Sequence, residues 1–179
     1  VIIRLAQERD LPGFLRLAAQ VEHWFGPMVE EPGFHRAVRE RISWSAALVA
    51  EASEIVGGML FSAEPPVRHV HWLVVSDRAR GSGVGRALLA EAMRRFGPDP
   101  GTIEVITFGP DHPGAVDSGA RTFYERLGFA PAEPADPGPE GGSRQVYRRD
   151  FPGPVVESAP EPDNVAVRPP GVEMHGPES

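Results

Sequence analysis

A chain of 179 residues, 41% hydrophobic and 24% charged, has the size and composition of one globular domain with a substantial core. All eighteen Lys+Arg residues are arginine and cysteine is absent, which excludes Schiff-base lysines, disulfides, thiol nucleophiles and cysteine zinc sites. The formal net charge of −7 argues against nucleic acid or an anionic membrane as partner. No apolar run is long enough to span a bilayer and the opening residues lack a signal-peptide layout, so the expected setting is the cytoplasm.

Val1–Ala6 reads as a strand. Asp10 is the predicted N-cap of a helix with Pro12 in its first turn and Phe14, Leu15, Leu17, Ala18 and Val21 on its apolar stripe. His23–Met28 is an aromatic loop, and a second helix is expected from about Pro32 to Ile42. Ala46–Glu51 and Ile55–Ser62 are strands joined by a polar turn. Pro65-Pro66 interrupts the chain before a strand over His69–Ser76. Its period-two alternation puts His69, His71, Leu73 and Val75 on one face and Val70, Trp72 and Val74 on the other. A helix over roughly Gly83–Phe96 stops at Gly97-Pro98, and Ile103–Phe108 is the next strand. A helix starting at Asp117 or Ser118 runs through Leu127 and is closed by Gly128. Phe129–Ala132 and Gln145–Arg149 then form a hairpin around a Pro/Gly-rich loop.

The order β-α-α-β-β-β-α-β-α-β-β describes an α/β domain over residues 1–150. From Phe151 the composition changes to seven prolines, five acidic residues and one arginine through Ser179. Residues 151–179 are expected to form an extended arm, packed on its own subunit or on the partner of a homodimer.

The most informative stretch is Val74–Phe96. An apolar strand runs into Arg80-Gly81-Ser82-Gly83-Val84-Gly85, and a helix begins directly from the glycines. Unpaired N–H groups at a helix N-terminus, reached closely past glycine, make an anion cradle suited to a phosphate or pyrophosphate. A P-loop would need a terminal Gly-Lys-Ser/Thr. A dinucleotide fingerprint would need G-x-G-x-x-G, but Arg86 stands where its last glycine belongs.

Arg80–Gly85 resembles the R/Q-x-x-G-x-G/A signature of the GCN5-related N-acetyltransferase (GNAT) family, with Val75 preceding it in register and Asp77 where the family has proline. A second segment, Ala120-Arg121-Thr122-Phe123-Tyr124-Glu125-Arg126-Leu127-Gly128-Phe129, is similar to the family's Asn-x-x-Ala-x-x-x-Tyr-x-x-x-Gly-Phe. Asp117 stands at the asparagine. The resemblance covers about residues 1–150 and implies the acyl-CoA N-acyltransferase fold, a mixed sheet of about seven strands flanked by about four helices. It implies acetyl-CoA as acyl donor. The pantetheine arm would lie on the backbone of Leu73, Val74 and Val75, and the pyrophosphate on Arg80, Gly81, Ser82, Gly83, Val84, Gly85 and Arg86, with Asp117 as a further polar contact.

The resemblance also implies direct attack of an amine on the thioester, with Tyr124 as the acid that meets the departing thiolate. His71 occupies the place where family members often carry a glutamate base, and histidine has the right ordinary pKa for that work; a water chain is the other candidate. His69-x-His71 offers only two metal ligands, too few for a site, and no metal is expected. The aromatic loop and His112, in a predicted turn, are candidate walls of the acceptor pocket. The rival reading is a non-catalytic acyl-CoA-binding or regulatory module on the same fold.

Overall fold

The computed structural model describes residues 1–153, so the expected arm lies, beyond its first three residues, outside the described residues. Seven strands form one sheet: β1 (Ile2–Leu5), β2 (Ala47–Glu51), β3 (Ile55–Ser62), β4 (Val67–Val75), β5 (Gly101–Phe108), β6 (Ala130–Ala135) and β7 (Arg144–Phe151). Their spatial order is β1-β2-β3-β4-β5-β7-β6. Only β4 and β5 run parallel; every other neighbouring pair is antiparallel.

Among the described residues six helices flank the sheet: α1 (Leu11–Ala19), α2 (Glu22–Phe25), α3 (Pro32–Ser43), α4 (Val84–Arg95), α5 (Gly114–Asp117) and α6 (Ala120–Arg126). The two beyond the expected four are single turns of four residues, α2 in the aromatic loop and α5 before α6. The helix expected from Asp117 or Ser118 is broken at Gly119, whose φ of +67° is the left-handed region glycine tolerates. Ser118 Oγ then accepts the Ala120 N–H at 3.2 Å, satisfying the first amide of α6.

Helices α4 and α6 cover one face of the sheet, burying Leu88, Leu89 and Tyr124 against Leu48, Met59, Val70 and Tyr147. Helices α1 and α3 cover β2, β3 and β4 on the other face through Phe14, Val38, Val49 and Leu60. The simple alternation expected along β4 does not hold. Leu60 pairs with Trp72 and Phe61 with Val70, so His71 is an extra residue, a bulge, and every residue after it changes face. Val70, Leu73 and Val75 therefore pack toward α4, while Trp72 and Val74 pack toward α1.

The same point marks a division of the sheet. Val67–Val70 pair with Thr102–Val105 of β5 and the ladder stops there, although β4 remains paired with β3 through Val75. The sheet opens into a wedge between β4 and β5, and among the described residues no strand pairs with the β5-facing backbone of β4 from His71 onward.

Asp10 has another role than the one its sequence position suggests. It ends a short 3₁₀ turn and makes no side-chain cap to α1. Its carboxylate accepts the Gln7 N–H at 2.7 Å and binds the Arg4 guanidinium at 2.8 and 2.9 Å, with Arg4 also held by Glu51 at 2.8 Å. Burial opposes ionisation of Asp10, but the Arg4 and Gln7 hydrogen bonds prevail and its pKa is lowered. Asp10→Asn leaves a partly buried guanidinium short of a counter-charge and is expected to cost about 2–3 kcal/mol, a drop in Tm of roughly 5–10 °C. A carboxylate whose folded pKa lies below its unfolded value contributes fully above the unfolded pKa, near 4, and loses that contribution as pH falls through the folded one. The difference in Tm between wild type and Asp10→Asn is therefore expected in full at pH 7 and to shrink steadily as the pH falls below about 4 through the lowered folded pKa; a difference that does not shrink on acidification would contradict the assignment.

Candidate active site

Beyond the end of the β4–β5 ladder, a cleft of about 600 Å³ runs along β4 between the start of α4 and α6. At one end lies the start of α4. Gly83, at φ +86°, turns the chain into the helix, and the first helical hydrogen bond runs from Ala87 N–H to Gly83 O at 3.0 Å. The N–H groups of Val84, Gly85 and Arg86 consequently have no intrahelical acceptor, and they carry the positive end of the helix dipole. The Val84 side chain is buried in the core, so only its backbone faces the ligand space. Phe123 of α6 packs so closely on Gly85 that a Cβ there would stand 3.1 Å from its ring.

Three arginines, Arg80, Arg86 and Arg126, line the same cleft. In a chain with a net charge of −7 this local concentration of cations favours an anionic ligand. The Arg80 guanidinium sits 5.2 Å from the Trp24 ring centroid and pairs with Asp77 at 3.0 Å. Asp77 replaces the expected proline without leaving an unused donor, since its N–H bonds Gln20 Oε1 at 3.0 Å.

A second cleft of about 420 Å³ lies in the wedge itself, lined from β4 and β5 by His69, His71, Trp72, Glu104 and Ile106 and by Phe25 and Met28, among others. The two clefts meet at Phe25, Leu73, Val74, Ala120 and Tyr124, which line both. Tyr124 is 5% exposed and packs edge-on against Phe123 and Phe129. Burial alone raises the pKa of its phenol well above the ordinary value, so it stays protonated and able to donate throughout the working pH range.

His71 projects from the bulge, with Nε2 3.1 Å from Ser62 Oγ and its ring stacked on His69 at 5.6 Å. It is accessible from the second cleft. Its pKa is nevertheless pulled down to about 4, by desolvation first and then by the positive charge of Arg41 and by His69. Beside it, Glu104 of β5 stands 3.6 Å from His69 Nε2 and accepts a hydrogen bond from Arg148 at 2.6 Å.

Of the residues expected to hold a cofactor, Leu73–Val75, Arg80, Gly81 and Gly83–Arg86 line the first cleft, whereas Ser82 and Asp117 do not. Ser82 turns its hydroxyl back to Ala79 O. Asp117 ends α5 exposed to solvent, and Ser118 and Gly119 take its place in the wall. His112 is 7% exposed and lies behind the second cleft rather than in its lining. Sequence reasoning missed Glu104, Arg126 and Phe123. Glu104 alternates with buried Ile103 and Val105 on β5 and so had a legible face, but the wedge that opens it to a ligand depends on where the β4–β5 ladder ends. Among the described residues no group of three or more His, Cys, Asp or Glu converges as a metal site, and no helix is long and apolar enough to cross a membrane.

Residues 43–131 match the family model described as an acetyltransferase (GNAT) domain. No curated protein matches the chain. Among solved structures, it is similar to the ribosomal-protein-alanine N-acetyltransferase from Brucella melitensis, at 21% identity and a TM-score of 0.62 over 84% of this chain and 100% of that one. It is also similar to a GNAT-family putative acetyltransferase from Desulfovibrio desulfuricans, at 22% identity and TM-score 0.65 over 83% and 98%. The PaiA N-acetyltransferase from Thermoplasma acidophilum, solved with coenzyme A, matches at 17% identity and TM-score 0.58 over 84% and 98%. At these identities the solved structures speak to the fold, and together with the match of the domain model they place this chain in the GNAT acetyltransferase family.

Proposed function

We propose that the protein is an N-acetyltransferase that moves an acetyl group from acetyl-CoA to an amine by direct attack on the thioester. The observation that carries this reading is the wedge between β4 and β5. A helix N-terminus suited to a pyrophosphate stands at one end, a buried phenol stands at the other, and among the described residues no strand pairs with the β5 side of the β4 backbone between them. The residues present fit the group. Val84, Gly85 and Arg86 would hold the pyrophosphate through backbone N–H groups, with Arg80, Arg86 and Arg126 adding charge. Leu73–Val75 would pair with the amides of the pantetheine arm, and acetyl-CoA supplies the activated thioester. Asp117, exposed beyond the wall, drops out of the proposed contacts.

Tyr124 is proposed to donate a hydrogen bond to the sulfur as the carbon–sulfur bond breaks. A thiol has an ordinary pKa near 8.5 and a phenol near 10, and burial raises the Tyr124 phenol further. Stabilising the thiolate by hydrogen bonding is therefore its contribution, the proton staying on the phenol while the thiolate leaves. The attacking amine loses its proton to His71 or to a water chain, and Glu104 faces the same cleft as a further acceptor. The second cleft would admit the amine. The cytoplasm, acting alone or as a homodimer, is the setting this reading implies.

If His71 is the base, it must be neutral to work, and with a pKa of about 4 it is neutral above about pH 5. The acidic limb of kcat/KM is then expected near pH 4 rather than near 6.5, and His71→Ala removes it. A limb near 6.5 that persists in His71→Ala assigns the base elsewhere. The function as a whole is tested by screening amines with acetyl-CoA for released thiol. Acceptor-dependent release identifies an enzyme, while tight acetyl-CoA binding without release from any amine identifies the binding-module alternative.

A further inference from the structure

At the junction of the two clefts, four of the five shared residues are apolar: Phe25, Leu73, Val74 and Ala120. With a pyrophosphate on the α4 N-terminus and the arm along β4, the thioester reaches this junction, and its acyl chain meets these side chains. An open apolar junction would favour longer chains, by about fourfold for each methylene buried.

The junction is not free to open, because Phe25 is backed by a column of rings. Phe25 stacks on Phe108 at 4.6 Å and 25°, and Phe108 stacks on His112 at 4.4 Å and 26°. Phe108 is fully buried. His112 Nδ1 accepts the Gly114 N–H at 2.8 Å, which fixes its proton on Nε2, where it faces Glu140 Oε1 at 3.3 Å. Glu140 also binds Arg144 at 3.3 Å. The loop carrying Glu140 lies against Gly26, the neighbour of Phe25, where a Cβ would stand 3.5 Å from Pro139. Buried His112, hydrogen-bonded to the more exposed Glu140, thus holds the last ring of a stack whose first ring lines both clefts. A ring confined in this way cannot retreat to admit a longer chain without disturbing close-packed neighbours.

We infer that Phe25 sets the length of acyl chain the protein accepts, with Phe108, His112 and Glu140 as its fixed backing. This inference rests on the acyl-CoA reading above. Phe25 touches the acyl group and determines specificity; His112 acts through it and is a positioning residue.

The test needs no acceptor. Wild type, Phe25→Ala, Phe25→Tyr and His112→Ala are titrated calorimetrically with S-ethyl-CoA and S-hexyl-CoA, thioethers that cannot transfer. Wild type is expected to bind the ethyl compound at least about tenfold more tightly than the hexyl one. Phe25→Ala is expected to bring the two to parity or reverse them, Phe25→Tyr to keep the wild-type ratio, and His112→Ala to fall between. Phe25→Val, which removes most of the ring's reach but keeps a branched apolar side chain, gives the same comparison should the alanine variant not fold. An unchanged ratio in Phe25→Ala or Phe25→Val overturns the inference. Wild type that binds neither thioether overturns the acyl-CoA reading instead.

Discussion

Gly83→Glu is expected to weaken binding of CoA by at least about 10²-fold, because it sets a carboxylate beside the backbone N–H groups proposed to receive the pyrophosphate. Juxtaposed like charges cost several kcal/mol at a binding site, and each 1.4 kcal/mol is tenfold in affinity. The control is Gly83→Ala. No atom lies within 4 Å of a Cβ placed there, so bulk is not the obstacle, but φ of +86° strains any side-chain-bearing residue. Both variants carry that strain, of order 1–2 kcal/mol, and only one carries the charge. Loss of affinity in Gly83→Glu with near-wild-type affinity in Gly83→Ala supports the cradle. Unchanged affinity in a folded Gly83→Glu protein would mean that the ligand lies elsewhere.

Tyr124→Phe is expected to lower turnover by roughly 10²-fold while leaving CoA affinity within about threefold. The separation follows from where the interactions form. The CoA contacts proposed on β4 and α4 are made by backbone, whereas the Tyr124 hydroxyl gains its full value only as charge develops on sulfur. Phe keeps the ring that packs on Phe123 and Phe129, so the loss is one of chemistry rather than of core. Because burial raises the pKa of the phenol, no basic limb of the wild-type pH–rate profile below about pH 10 should disappear in the variant. Unaltered turnover would reduce Tyr124 to a packing residue.

Much of this architecture is legible in the residues because local and global signals agree. The glycine run between an apolar strand and an amphipathic helix identifies both elements and the exposed helix start between them, and the spacing from Ala120 to Phe129 places Tyr124 on α6. Other features are matters of tertiary pairing. The bulge at His71 leaves no mark in the sequence, since Val70, His71 and Trp72 read as ordinary strand residues; only the register with Leu60 and Phe61 shows the slip. That slip carries Leu73 and Val75 to the α4 face, opposite to the expected alternation. Asp10 reads as an N-cap because the same carboxylate chemistry serves a cap and a buried ion pair, and the partner that decides between them, Arg4, is supplied by β1. Asp117 fits the family spacing, yet the break at Gly119 turns it out to solvent. Phe25 was visible as part of an aromatic loop, but its place between two clefts depends on Phe108 and His112, more than eighty residues further along the chain.

The most direct measurement is a titration of the unaltered, isotope-labelled protein with CoA, followed through its backbone amide resonances. One molecule is expected to bind per chain, and the largest shifts should fall on the amides of Leu73–Val75 and of Val84, Gly85 and Arg86, with the Tyr124 region responding when acetyl-CoA replaces CoA. Absence of binding, or shifts confined to surfaces away from the β4–β5 wedge and the start of α4, would contradict the account.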